Sequence, residues 1–210
     1  MMMIKRNVIA TTFLSLLVSL GILGFWAASA RASAADQGAL DFVQQTAQKG
    51  LTFLSNQNAT QEQKKAEFKK LLNESFDLDT IGRFALGRYW KDATPAQQKQ
   101  YLDLFRKMVI DVYTSRFSDY KGQKFDVKSS RSVSGTDTMV TSYIVPVDGG
   151  ENIQVDWRVR SKNNKMKIVD VYVAGVSMSV TQRSDFSAVI QSGGGSVDVL
   201  IDNLQQRTKK

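Results

Sequence analysis

The run Ile153-Gln154-Val155-Asp156-Trp157-Arg158-Val159-Arg160 alternates apolar and polar side chains without a fault. A strand resolves that pattern into one apolar and one polar face, because its successive side chains point to opposite sides, whereas a helix would scatter them around its circumference. Met139–Val147 and Met166–Val173 also read as strands, and Gln123–Val133 as a weaker one. Asp148-Gly149-Gly150 and Ser161-Lys162-Asn163-Asn164-Lys165 fall between them and are turn-formers, so the strands join as hairpins. The expectation is a four-stranded antiparallel meander whose apolar face carries Ile153, Val155, Trp157 and Val159. Such a face needs a cover.

The cover is supplied by helices on both sides of the meander. Before Gly122 the hydrophobic period is about 3.6. Thr94-Pro95-Ala96-Gln97 combines a threonine cap, a proline at the first helical position and a glutamine at the third. From there Tyr101, Leu102, Phe105, Met108, Val109, Val112, Tyr113 and Phe117 recur at three- and four-residue steps, a wide stripe that makes this the main helix. Asp36–Asn73 reads as two helical pieces broken near Asn56-Gln57-Asn58, the second opening on the capping-box spacing Thr60–Gln63. Phe76–Trp90 reads as short helices rich in aromatics. After the sheet, Asp185–Ile190 and Val197–Leu204 are helical and are separated by Ser192-Gly193-Gly194-Gly195-Ser196. Helices, meander, helices is an α+β order, here over a single domain at 35–210.

Residues 1–34 have the layout of a secretory signal peptide: a cationic start with Lys5 and Arg6, an apolar run Val8–Ala28, and A-x-A cleavage sites ending at Ala30 or Ala34. The same run, left uncut, is long enough for an N-terminal membrane anchor. The expected localisation is periplasmic. Without Lys5 and Arg6 the 28 cations become 26 against 20 anions, a net +6. In an exported chain that charge suits anionic lipid headgroups or an acidic partner better than nucleic acid, although Lys64-Lys65 and Lys69-Lys70 also suit a solvated helix face.

The chain has neither cysteine nor histidine. Disulfides, the usual zinc sites, Cys–His and Ser–His nucleophiles and the commonest neutral-pH base are therefore out. Gly175-Val176-Ser177-Met178-Ser179 resembles the opening of a nucleophile elbow. That device needs glycine at its fifth position, a parallel sheet and a histidine, and Ser179-Val180-Thr181-Gln182 instead has capping-box spacing. No Ser-x-x-Lys spacing falls between Ser55 and Lys70, and Lys128-Ser129 lies in a strand. Asp156 and Asp170 are the carboxylates left for acid–base chemistry, with Asp156 on the polar face opposite Trp157. No catalytic residue, metal or cofactor is expected.

The long helix, the aromatic group Phe84, Tyr89 and Trp90, and the apolar sheet face together can form a cone with an apolar interior. Such a cone either fills with its own side chains or holds a hydrophobic ligand, and periodicity does not separate the two. Three readings stay open: a hydrophobic-ligand carrier, an enzyme on a small hydrophobic substrate using Asp156 or Asp170 as base, and an adaptor with a filled core.

Gly87-Arg88-Tyr89-Trp90, Ala93-Thr94-Pro95, Phe105-Arg106, Tyr113, Arg116-Phe117, Tyr120 and Gly122 stand in an order similar to that of the MlaC family. So do Asp170-Val171, Gly175-Val176-Ser177, Thr181-Gln182-Arg183-Ser184-Asp185-Phe186 and the glycine-rich joint before Leu200-Ile201. This family comprises periplasmic phospholipid-shuttle components also called toluene-tolerance auxiliary proteins. The resemblance covers about Phe76 to Arg207. It implies a nuclear-transport-factor-like sheet and helices around a deep apolar pocket for acyl chains, with no catalytic set. It also implies two protein partners: an outer-membrane lipid-handling protein, and the substrate-capturing subunit of an inner-membrane ABC transporter. On this sequence the implied pocket residues are Phe105, Met108 and Val112 with Tyr143, Val145, Ile153, Val155, Trp157, Val159, Val171 and Val173, beside the aromatics Phe84, Tyr89 and Trp90. Many relatives carry an acidic residue where Ala174 stands, which leaves a partner contact there open. A branch of the family accompanies hopanoid synthesis, so the ligand the resemblance implies is a phospholipid or a hopanoid.

Overall fold

A computed structural model describes residues 34–208; apart from Ala34, the expected signal segment lies outside them. The order is α1 (Ala34–Ser55), α2 (Gln61–Ser75), α3 (Leu78–Leu86), α4 (Tyr89–Asp92), α5 (Pro95–Thr114), a 3-10 turn (Phe117–Asp119), β1 (Lys124–Ser134), β2 (Asp137–Val145), β3 (Ile153–Lys162), β4 (Lys165–Val173), β5 (Val176–Ser177), α6 (Met178–Ser192) and α7 (Val197–Arg207). The strands form one sheet in the order β1-β2-β3-β4-β5, with every neighbouring pair antiparallel. The expected α+β meander with helices on both sides is therefore observed, with one strand more than the period revealed. No helix among the described residues is long and apolar enough to cross a membrane.

Local chemistry fixes the element ends. Thr60 and Thr94 both close full capping boxes: Gln63 N donates to Thr60 Oγ1 at 3.2 Å and Gln97 N to Thr94 Oγ1 at 3.3 Å, with each glutamine amide oxygen accepting in return. The long helix stops at Thr114, short of the expected Phe117. There Thr114 Oγ1 donates to Ile110 O and Ser115 Oγ to Val112 O, both at 2.7 Å, offering the carbonyls a partner other than the next helical turn. Beyond β4, Ala174 and Gly175 both take positive φ (48° and 80°) and close a two-residue turn that pairs Val173 with Val176. Gly175 thus starts a hairpin where the sequence suggested a strand end. The cap of α6 is Ser177, which accepts from Val180 N at 3.1 Å, two residues before the expected Ser179.

Strand register sets the faces. Thr138–Val159–Ile168, Val140–Trp157–Val171, Ser142–Val155–Val173 and Ile144–Ile153 are cross-strand rows on the inner face, joined by Phe125 and Val127 of β1. The outer face carries Asp137, Arg158, Arg160, Thr141 and Asp156. Helix α1 lies over one end of the inner face, where Ala39 and Val43 pack on Val140, Val159 and Ile168. Asp36 at its start accepts from Ser132 Oγ (3.0 Å) and Thr138 Oγ1 (3.1 Å), tying the helix to the sheet. A second, larger core belongs to the helices alone: Phe105 and Tyr101 of α5 against Leu86, Phe186, Ile190, Leu200 and Leu204.

Candidate functional site

Burial varies along the inner face of the sheet. Beneath α1, Val140, Val159 and Ile168 are 2 % exposed or less. Around this cluster Phe125, Val127, Trp157 and Val171 are half-buried, and in the next rows Ser142 and Val155 are buried, Val173 and Ile144 are half-buried and Ile153 is exposed. The indole is nonetheless held in a fixed pose. Trp157 Nε1 donates to Ser142 Oγ at 2.9 Å, Ser142 Oγ donates to Val155 O at 2.8 Å, and the ring meets Phe125 and Phe76 edge-on at 5.9 and 6.5 Å. Its polar atom is thereby satisfied while part of its ring stays open to solvent.

A second apolar wall comes from the helices. Phe53 of α1, Phe68 of α2 and Phe117 of the 3-10 turn make mutual ring contacts at 5.3–6.4 Å, and Phe68 also meets Tyr113 at 6.3 Å. Val112 and Tyr113, on the last turns of α5, are 40 % and 45 % exposed. Tyr113 is at once accessible and surrounded: desolvation by its neighbours raises its phenol pKa, opposed by the charge of Arg116. The two walls meet at Phe76, which packs against Trp157 of the sheet and against the small core of Leu72, Leu78 and Ile110 between α2, α3 and α5.

The residues anticipated from sequence divide among five places. Val155, Trp157, Val159, Val171, Val173 and Ile153 share the inner face. Val112 lies on the exposed end of α5. Phe105, Met108, Tyr89 and Trp90 are packed into the helical core, so that part of the expected cavity is filled by side chains. Tyr143 and Val145 lie on the opposite face of the sheet, opposite Gln154 and Lys124, and Phe84 lies on the outer helical surface beneath Arg183. Sequence reading missed Phe53, Phe68, Phe76, Phe125 and Val127. The alternation Phe125-x-Val127 was the available signal for the last two. Two surface hollows, of about 460 Å³ beside Lys99 and Leu104 of α5 and about 400 Å³ at the α1–α2 corner, touch none of the anticipated residues.

The carboxylates serve structural ends. Asp170 accepts from Ser177 Oγ at 2.6 Å and from the Ser179 and Val171 amides at 3.2 and 2.9 Å, pinning the start of α6 to β4. Asp156 accepts from Thr141 Oγ1 (2.6 Å) and Gln154 Nε2 (2.8 Å) on the outer face, away from Trp157. Asp137, almost wholly buried, receives Arg160 at 2.7 and 2.8 Å and Arg158 at 2.7 Å; Arg160 foremost, against the opposing effect of burial, holds its carboxyl below the usual aspartate range. Among the described residues no cluster of three or more acidic side chains could hold a metal ion. The two half-buried apolar walls can take apolar surface out of water, and none of these three carboxylates lies on them.

Comparison with known proteins agrees with this architecture. The chain is 24 % identical over 133 residues to the Haemophilus influenzae intermembrane phospholipid transport system binding protein MlaC (62 % of this chain, 61 % of that protein). It is 24 % identical over 142 residues to the toluene tolerance protein ttg2D of Pseudomonas putida (63 % and 62 %). The match thus spans about three fifths of the length of these curated relatives. A solved phospholipid-binding protein from Ralstonia solanacearum, in complex with a phospholipid, superposes with a TM-score of 0.71 at 26 % identity, covering 81 % of this chain and 97 % of that one. The family model described as MlaC protein matches residues 44–206, and on that match the chain belongs to the MlaC family.

Proposed function

We propose that the chain is a periplasmic carrier that takes the acyl chains of a membrane phospholipid between the inner sheet face and the helical aromatics. It passes the lipid between an outer-membrane lipid-handling complex and the substrate-capturing subunit of an inner-membrane ABC transporter. The observation that carries this reading is the half-buried apolar inner face around Trp157, joined at Phe76 to a second half-buried aromatic wall. Membership of the family, and the phospholipid found in the Ralstonia relative, supply the ligand class. The lining is Phe125, Ile153, Trp157, Val171 and Val173 on one side and Phe68, Val112 and Tyr113 on the other.

Burying acyl chains is worth about 0.8 kcal/mol per CH₂, so two long chains supply on the order of 20 kcal/mol gross. Most of this cancels, because the lipid leaves an equally apolar bilayer. Net affinity then rests on the fit of the recess and the cost of opening it, and transfer runs near neutral without ATP at the carrier. The test is organic extraction and mass spectrometry of protein purified from the periplasm. A two-chain glycerophospholipid near one per protein is the expected result, and a protein free of lipid would overturn the carrier. A pentacyclic triterpenoid in its place would transfer the reading to a hopanoid carrier of the same fold. Intact mass of the same sample reads the export step, with cleavage expected after Ala30 or Ala34 and an uncut chain indicating an anchor.

A further inference from the structure

We propose that the arginine-bearing surface of α3, α4 and α6 is a docking face for a protein partner that presents carboxylates. Three exposed guanidiniums lie on aromatic rings there: Arg83 over Trp90 at 5.1 Å, Arg88 over Tyr89 at 4.9 Å, and Arg183 over Phe84 at 5.4 Å from the ring centroids. None of the three is among the ion pairs of the described residues. The outer-sheet arginines, by contrast, are engaged by Asp137.

The backbone is shaped to seat this group. Gly87 takes φ +62°, and a Cβ at that position would stand 2.8 Å from Arg183 Nε, so the arginine lies across a site only glycine leaves vacant. Arg88 is pinned further by donating from Nη2 to Tyr89 Oη at 3.0 Å. Guanidiniums fixed on rings have already given up rotamer freedom, so less is lost when they engage a ligand. Apolar surface accompanies them: Phe84 is 42 % exposed, and Val180, one turn before Arg183, is 50 % exposed. Arginine and aromatic side chains around a small apolar patch have the composition of protein-interface hot spots.

An anionic bilayer attracts mobile cations of any geometry. Three forks held in set directions instead suit carboxylates at fixed positions, and the positive net charge of the chain favours an acidic partner. The face backs the helical core, where Ala85, Leu86 and Phe186 are buried, and not the recess. For the partner's identity the inference rests on the carrier reading: the occupant is one of the two membrane proteins between which the lipid passes.

The test titrates protein purified from the periplasm, with its lipid, against the purified soluble domains of both partners by calorimetry. Arg83→Ala with Arg183→Ala is expected to weaken binding to at least one domain by on the order of tenfold or more. Arg183→Lys keeps the charge but not the fork, and is expected to lose several-fold. Lys99→Ala with Lys107→Ala removes equal charge from α5 and should stay within about twofold. Lipid content by extraction tests the carrier reading separately and should be unchanged in all of them. Equal weakening by both double variants would reduce the effect to net charge and overturn the proposal. So would unchanged affinity in the arginine variants, or failure of the parent to bind either domain. Loss of sedimentation with phosphatidylglycerol–phosphatidylethanolamine vesicles, at unchanged protein affinity, would make the face a membrane contact instead.

Discussion

Trp157 and Phe105 were both candidates for one lipid pocket, yet they belong to separately packed clusters. Substituting each by alanine should therefore separate stability from lipid binding. Phe105 is 2 % exposed, so Phe105→Ala should cost the full about 3–5 kcal/mol of a core aromatic. Trp157 is half-buried, which scales its cost to about 2–3 kcal/mol. Ser142 keeps its bond to the Val155 carbonyl, so no buried polar group is stranded. At about 2–4 °C per kcal/mol for a domain of this size, the lipid-free melts should fall by about 4–12 °C for Trp157→Ala and further for Phe105→Ala. Lipid retention should run the other way. The open part of the half-buried indole offers an acyl chain on the order of 50 Å² of contact. At about 25 cal/mol per Å² its loss is worth about 1.3 kcal/mol, or roughly tenfold in affinity. Extraction and mass spectrometry, done well below both melting temperatures, would read the difference. The reasoning fails if Phe105→Ala empties the protein of lipid as thoroughly as Trp157→Ala does.

Asp137→Asn should lose about 1–3 kcal/mol at pH 7, discounted from the buried-pair range because Arg158 and Arg160 are about a third exposed. The native carboxyl titrates below its unfolded value of about 3.9, so its stabilisation is complete above that pH and is lost as pH falls through the folded pKa. Urea unfolding at pH 7 and pH 3 should show the parent–variant gap narrowing, and a constant gap would refute the linkage. Ser177→Ala removes the cap of α6 and the shortest bond to Asp170, and should lower stability by about 1–2 kcal/mol while leaving lipid bound. Denaturant melts and extraction together check it. Ala174 holds φ +48°, so Ala174→Gly should raise the denaturant midpoint by an amount equivalent to about 0.5 kcal/mol; a fall would show that the residue is not strained.

The strict alternation of β3 and the two threonine capping boxes were legible because strand faces and helix starts are decided within a few residues. Strand β5 is two residues long and has no period to detect; only its register with β4 reveals it. The face of β2 was misread for a chemical reason. Tyr143 and Val145 look like inward residues beside Ser142, but the hydroxyl of Ser142 is buried to meet the Trp157 indole, which turns Tyr143 and Val145 outward. The stripe on α5 announced that it would be covered without saying by what. Its partners Phe186, Ile190, Leu200 and Leu204 lie far along the chain, and whether helices or a ligand fill that space depends on their docking.

The helical bundle and the sheet keep separate interiors, but several polar bonds fasten one to the other beside Phe76. The Asp77 amide donates to the Ile168 carbonyl at 3.0 Å, Lys167 Nζ donates to the Asn73 and Glu74 carbonyls at 2.8 and 2.7 Å, and Asp170 holds Ser177 at the head of α6. Any gaping for a bulky passenger would have to pivot about these rivets or break them, and the deep cores on either side need not open for it.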